Sequence, residues 1–176
     1  MVALVSQENM VVLARTGRDL QRYNKGRRQV VGCIPYRYKD INELQVLVIS
    51  SQKGTSMLFP KGGWEQDESK KEAALRETIE EAGVRGVVER ELGKWSFKSK
   101  TYDTFYDGYM FPLLVQEELD FWPEMNFRQR KWMSVLEARE VCQHWWMKEA
   151  LDILVSRLES SQKQDVEDGV DPCSLS

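Results

Sequence analysis

A chain of 176 residues, 41% hydrophobic and 30% charged, is long enough to bury the core of one domain. Its formal charge of −3 argues against general nucleic-acid binding, and no apolar run approaches the length of a membrane span. The charge is uneven: residues 1–40 carry eight Lys/Arg against three Asp/Glu, whereas residues 158–176 carry one lysine against five acids. A local basic surface of this kind suits a small polyanion.

The three cysteines, Cys33, Cys142 and Cys173, are widely spaced and form no C-x-x-C, so neither a zinc site nor a disulfide framework is indicated. A reducing compartment, cytoplasm or nucleus, follows. No secretory signal is expected, because Gln7, Glu8 and Asn9 interrupt the apolar pieces of the amino terminus. A mitochondrial presequence stays open, since Arg15, Arg18 and Arg22 are spaced like one, with Glu8 and Asp19 against it. The single histidine, His144, lies among aromatics in CQHWWM and reads as a packing residue.

In chain order, residues 1–26 read as an irregular basic arm. RRQVVGCIPYRY (27–38) and ELQVLVIS (43–50) are β-branched runs across a polar turn and read as paired strands. QKGTS (52–56) is a loop, MLF (57–59) a short strand and PKGG (60–63) a turn. From Ser69 the period becomes helical: Leu75, Ile79 and Ala82 form one apolar stripe, and Gly83 is the stop. Residues 84–99 and 104–118 read as two antiparallel strands across the KSKTYD turn. A short strand (130–135), a helix (136–159) with Trp146, Ala150 and Ile153 on its apolar side, and a disordered acidic tail (160–176) complete the chain. This order predicts an α/β fold with a mixed sheet between helices.

On the 69–83 helix, a wheel with Glu77 at zero places Glu80 and Glu81 at about 300° and 40°, with the apolar stripe between about 140° and 200°. Like charges at these spacings repel. Two readings compete: an ordinary solvated acidic face, or acids converging on a hard divalent cation such as Mg²⁺ or Mn²⁺. Gly62, Glu68, Arg76, Glu77, Glu80, Glu81 and Gly83 together fit G-x5-E-x7-R-E-x-x-E-E-x-G. That pattern resembles the signature of the Nudix hydrolases, with Thr78 in a slot that the family fills with an aliphatic residue.

The resemblance implies a Nudix domain over 27–159, an α/β/α sandwich around a mixed sheet, and metal-dependent hydrolysis of a phosphoanhydride. By position it implies Glu77, Glu80, Glu81 and the Gly62 carbonyl as metal ligands, with Mg²⁺ expected and Mn²⁺ the alternative. Arg76 would orient Glu77, Glu68 would support the site, and Glu81 or Glu77 would take the proton of the attacking water. Glu117 and Glu118, at a strand end, read as exposed charge before they read as further catalytic acids.

FPKGGWE (59–65), QVVGCIPYR (29–37), LGKWSFKSK (92–100) and FRQRKWM (127–133) resemble the diphosphoinositol polyphosphate phosphohydrolase branch. RTGRDLQRY (15–23) is similar to its plant members. The implied substrates are diphosphoinositol polyphosphates and diadenosine polyphosphates. Such polyanions need cations, and the candidates are Lys61 first, then Arg27, Arg28, Lys98 and Lys100, with Lys53 and Arg128 after them. Arg22 and Lys131 are weaker candidates. Gly63 of the same turn is a further substrate contact, Trp64 either a wall of the pocket or, equally, packing under the loop, and the amides of Gly54 and Thr55 a lesser support.

Two alternatives stay open. A different Nudix substrate, such as a nucleotide sugar, a dinucleotide cofactor or an mRNA cap, would want base-stacking groups, which Tyr102, Phe105 and Tyr106 supply. A catalytically silent module would bind a phosphorylated ligand or partner protein, against which the intact set of acids counts. A monomer without membrane association is expected.

Overall fold

The computed structural model describes residues 4–7, 10–13, 15 and 17–168. Its centre is β4 (Arg27–Tyr38), in which residues 29–36 are buried without alternation. Such a run marks a strand covered on both faces. β1 (Leu4–Gln7) and β2 (Met10–Leu13) form a separate antiparallel ribbon, and β3 (Tyr23–Asn24) pairs with the start of β4. β5 (Leu44–Ser50) is antiparallel to β4, and β6 (Met57–Leu58) to β5. β7 (Lys61–Gly63) returns antiparallel along the first half of β4. After helix α1 (Lys70–Ala82) come β8 (Val84–Val88), β9 (Gly93–Lys98) and the long β10 (Phe105–Glu118). β10 lies parallel to β4, with Tyr106 opposite Arg28 and Leu114 opposite Tyr36. β11 (Arg130–Ser134) closes the far side on β5, followed by α2 (Val135–Val141) and α3 (Trp145–Asp168). The sheet path β11-β5-β4-β10-β8 is therefore mixed.

The helices cover opposite faces. Cys33 Sγ donates to the Ala74 carbonyl of α1 at 3.5 Å, whereas Trp146 of α3 lies over Gly108, the register partner of Val30. Residues 30 and 33 point to opposite sides of a strand. The expected α/β/α sandwich is present. Among the described residues no helix is long and apolar enough to cross a membrane.

Several boundaries differ from the sequence reading. The arm holds backbone-paired strands where an irregular segment was expected: two tetrapeptides, LVSQ and MVVL, satisfy each other's backbone groups at a length too short for a periodic signal. PKGG is not only a turn, because residues 61–63 pair with β4. Residues 84–99 split at 89–92, where the chain crosses from one half of β10 to the other. The 136–159 helix breaks at 142–144, with Cys142 extended at ψ 125°. The second piece then runs to Asp168, since 160–168 contains no Gly or Pro and polarity alone does not stop a helix. The rest of the expected tail, 169–176, lies outside the described residues.

Candidate active site

α1 begins with a capping box, Ser69 with Glu72, and ends on Gly83 in the left-handed region at φ 63°. Its sheet-facing residues are small: Ala73, Ala74, Thr78 and Ala82 are fully buried, while Leu75 and Ile79 are only half-buried. The buried face is thus rotated from the predicted stripe toward the acids. The Thr78 hydroxyl is satisfied inside the helix, donating to the Ala74 carbonyl at 2.7 Å, which explains how it occupies an apolar slot. The acids do not form a solvated face. The Glu77, Glu80 and Glu81 side chains are only 12%, 9% and 9% exposed.

β7 lies against this face. A Cβ on Gly62 would fall 2.0 Å from the Glu77 carboxyl carbon, so only glycine lets the backbone approach the acid this closely. The amide of Lys61 donates to Glu81 Oε2 at 3.1 Å. Arg76 ties strand and helix together. Its Nε and Nη2 grip the two oxygens of Glu68 at 3.0 and 2.6 Å, Nη2 donates to the Gly63 carbonyl at 3.0 Å, and Nη1 donates to Glu77 Oε1 at 2.8 Å. The same Nη1 lies 3.5 Å from Glu80 Oε1. This guanidinium answers much of the acid–acid repulsion.

Burial still dominates. It pushes the Glu77 carboxyl up to about 7 against the pull of Arg76, and the Glu81 carboxyl up to about 8 against the pull of Arg128. Glu80 is raised by burial as well, opposed by the Arg15 amide, which donates to its Oε1 at 3.1 Å. Lys61, buried beside Glu81 and within the field of Arg28 and Arg128, is pushed below the usual lysine range. Carboxylates pressed together out of water, beside a glycine backbone that admits no side chain, form a hard-oxygen donor set that fits a divalent cation. With their oxygens on Arg76, Arg128 and two backbone amides, no group of three such acids among the described residues is arranged around a single ion position.

The remaining candidates divide. Arg128 reaches the cluster, with Nη2 at 3.2 Å from Glu81 Oε1 and Nη1 on the Ser50 carbonyl at 2.9 Å. Arg28 is held by Gln21, its Nε donating to Oε1 at 3.0 Å. Arg27 is committed to Asp107 at 3.2 Å and to Ser96 Oγ at 3.0 Å. Lys98 pairs with exposed Asp103 at 2.7 Å, and Lys53 and Lys100 stand on exposed loops. Gly63 is packed rather than open, since a Cβ there would meet Gln21 Oε1 at 1.8 Å. Trp64 serves as packing under the loop: its Nε1 donates to the Glu68 carbonyl at 2.9 Å, its edge meets Tyr109, and Arg22 stacks on its face. Glu117 and Glu118 are engaged elsewhere, near Arg85 and with Trp132 and Arg37. His144 packs obliquely on Trp146, and burial lowers it to about 4.

Three participants were not assigned to the site from the sequence. Glu124 donates its amide to the Glu80 carbonyl at 3.0 Å, and its negative charge helps raise Glu77, Glu80 and Glu81. Gln21, 5% exposed, joins Arg28 to the backbone of β4 and Trp64. Arg15 clasps Glu65 and Asp67 with its side chain while its amide holds Glu80.

Comparison with known proteins settles the family. The NUDIX domain profile matches residues 26–154. The chain belongs to the Nudix hydrolases. Nudix hydrolase 17, mitochondrial, of Arabidopsis thaliana is 63% identical over 168 residues, covering 92% of each chain. Nudix hydrolase 18, mitochondrial, of the same plant is 65% identical over 153 residues, 84% of this chain and 87% of the relative. Nudix hydrolase 21, chloroplastic, is 60% identical over 156 residues, 86% and 79% of the two chains. A binary complex of a C. elegans Ap4A hydrolase shares the fold at TM-score 0.60 and 19% identity, over 75% of this chain and 98% of that one. The Nudix domain of Shewanella oneidensis NrtR, solved with ADP ribose, shares it at TM-score 0.62 and 16% identity, over 77% and 90%. This Nudix protein is therefore an enzyme that hydrolyses phosphoanhydride substrates, and its family as a whole requires divalent cations.

Proposed function

We propose that this Nudix hydrolase cleaves phosphoanhydride bonds in small polyphosphorylated metabolites, diphosphoinositol polyphosphates or diadenosine polyphosphates, with Mg²⁺ as its ion and Mn²⁺ as a substitute. The observation that carries the reading is the meeting of three desolvated glutamates with Arg28, Lys61 and Arg128 beside the Gly62 backbone. Glu77, Glu80, Glu81 and the Gly62 carbonyl would hold the metal, which when bound neutralises the phosphate oxygens and acidifies water.

The chain's own groups do the rest. Arg76 fixes the Glu77 rotamer from one side while Glu68 fixes Arg76 from the other, so the ligand set is organised before substrate arrives. Glu81 or Glu77 accepts the proton of the attacking water; both are buried carboxyls raised toward neutrality, the range in which a general base works best. Arg28 and Lys61 supply positive charge for the phosphates, and Lys61 can do so while its own amide holds Glu81 in place.

Phosphate release from an inositol pyrophosphate and from diadenosine tetraphosphate, with and without Mg²⁺, tests this. Turnover of at least one only with metal is expected; none of either, against activity on a nucleotide sugar, would contradict it. The relatives' names favour a mitochondrion or chloroplast over the cytoplasm or nucleus, and imaging of a tagged protein tests that address.

A further inference from the structure

Gln21 is buried just before β3, bridged through its backbone to Glu65 beyond the end of β7. Its carboxamide is used at both ends. Nε2 points its hydrogens at three backbone carbonyls, those of Arg22 at 2.9 Å, Gln29 at 3.0 Å and Trp64 at 3.3 Å. Oε1 accepts from Arg28 Nε at 3.0 Å. Three acceptors on one side and a cationic donor on the other fix which way the amide faces; glutamine carries both groups, where ionised glutamate only accepts. The three carbonyls do not depend on it, since each also accepts a backbone amide: Arg22 donates to Trp64, Trp64 to Gln29 and Gln29 to Arg22, at 2.9, 2.9 and 3.0 Å. Arg28 is thus the partner that Gln21 serves alone. The fit is close, because a Cβ on Gly63 would lie 1.8 Å from Gln21 Oε1 and 3.0 Å from Arg28 Nη2. The guanidinium rests against β7 one residue from Gly62, which packs on Glu77.

Arg28 differs from its neighbours in the kind of anchor it has. Arg27 is paired with Asp107 and Arg128 with Glu81, whereas among the described residues no carboxylate pairs with Arg28. Its anchors are neutral: Gln21 takes Nε, and the Tyr106 ring centre lies 5.7 Å from the guanidinium carbon. A neutral acceptor holds an arginine in place without cancelling its charge, which a carboxylate would do. The bond through Nε also leaves the two terminal nitrogens outside it, the edge with which a guanidinium grips phosphate oxygens. We propose that Gln21 is a positioning residue for the substrate: it holds Arg28 toward the phosphates at full charge, and so sets phosphate affinity without touching substrate itself. The inference rests on the reading above, in which Arg28 supplies positive charge for the phosphates, and adds how that charge is kept and aimed.

The probe is inorganic tripolyphosphate, its binding measured by calorimetry in EDTA, where no turnover intervenes, for the wild type, Gln21→Met, Arg28→Ala and the double variant. Arg28→Ala is expected to weaken binding roughly ten- to a hundredfold, as the loss of a hydrogen-bonded charge implies. Gln21→Met is expected to weaken it roughly two- to tenfold, the effect of having to order one long side chain on binding. In the Arg28→Ala background Gln21→Met should cost nothing further, because Gln21 acts through Arg28; a merely structural role would weaken binding alike in both backgrounds. A second measurement needs no folded Gln21 variant. In the wild type the Arg28 Nε–H resonance, assigned by its loss in Arg28→Ala, should exchange with water at least tenfold more slowly than that of free arginine, and stay protected when tripolyphosphate binds. Absent binding by the wild type, or unchanged affinity in Arg28→Ala, would overturn the proposal together with the role given to Arg28 above. A Gln21→Met loss that persists without Arg28, no loss at all, or an Nε–H that exchanges like free arginine would overturn the proposal alone.

Discussion

Replacing Arg76 by alanine should unfasten the site and weaken the fold together. The arginine is 14% exposed and its main partner Glu68 is 5% exposed. Truncation would leave both Glu68 oxygens without their guanidinium donors, free the Gly63 carbonyl, and return Glu77 and Glu80 to mutual repulsion. Removing one partner of a buried ion pair costs about 3–5 kcal/mol. In a domain of this size each kcal/mol moves the melting temperature by roughly 2–4 °C, so a fall of roughly 6–20 °C is expected. Arg76→Lys should fall between, since an ammonium cannot reproduce the fork. Adding Glu68→Gln to Arg76→Ala should recover part of the loss by removing the stranded charge, which a double-mutant cycle reads directly. Circular-dichroism melts of the wild type, Arg76→Ala, Arg76→Lys, Glu68→Gln and the double variant decide it. A shift under 2 °C for Arg76→Ala would refute the reasoning, because it would mean that the buried acids do not depend on this cation.

Glu81→Gln should lower kcat at least a hundredfold by removing a base or ligand, yet leave the metal-free melting temperature unchanged or higher, because burial already disfavours the charged form; turnover and melts report the two halves. The pH dependence has a definite sign. Glu77 and Glu81 are raised from 4.5 to about 7 and about 8, so their contribution to metal-free stability is full below pH 4.5 and is lost as pH rises through 7 and 8. Mg²⁺ affinity should rise over the same window with release of protons, which calorimetry in buffers of different ionisation heat would show. Gly83→Ala should destabilise by more than about 1 kcal/mol, since φ is 63° and a Cβ would lie 2.5 Å from the Trp122 ring; urea unfolding measures it.

The spacing from Gly62 to Gly83 made the glutamate cluster and its arginine legible in the sequence, because backbone period and charge order act within a few helical turns. The direction in which that helix buries its residues was not legible. Hydropathy marks Leu75 and Ile79, whereas close approach to the sheet selects Ala73, Ala74 and Ala82, whose small size lets the helix lie near β4 and carries the acids inward. The mixed sheet followed from β-branched runs, but the breaks at 89–92 and 142–144 depend on which strand half or neighbour the chain must reach, a tertiary matter. Basic residues were easy to count and hard to assign: Arg27 and Arg28 are adjacent, and only the partners Asp107 and Gln21 show that one is ion-paired while the other is held beside the site. Glu124 and Arg15 could not be assigned to the site for the same reason, since 44 and 65 residues separate them from Glu80.

The most direct measurement is Mn²⁺ binding followed by electron paramagnetic resonance in wild type and in Glu77→Gln, Glu80→Gln and Glu81→Gln. A saturable site is expected in the wild type, weakened at least tenfold by each substitution while every variant still melts cooperatively. Unchanged Mn²⁺ affinity in all three folded variants would contradict it.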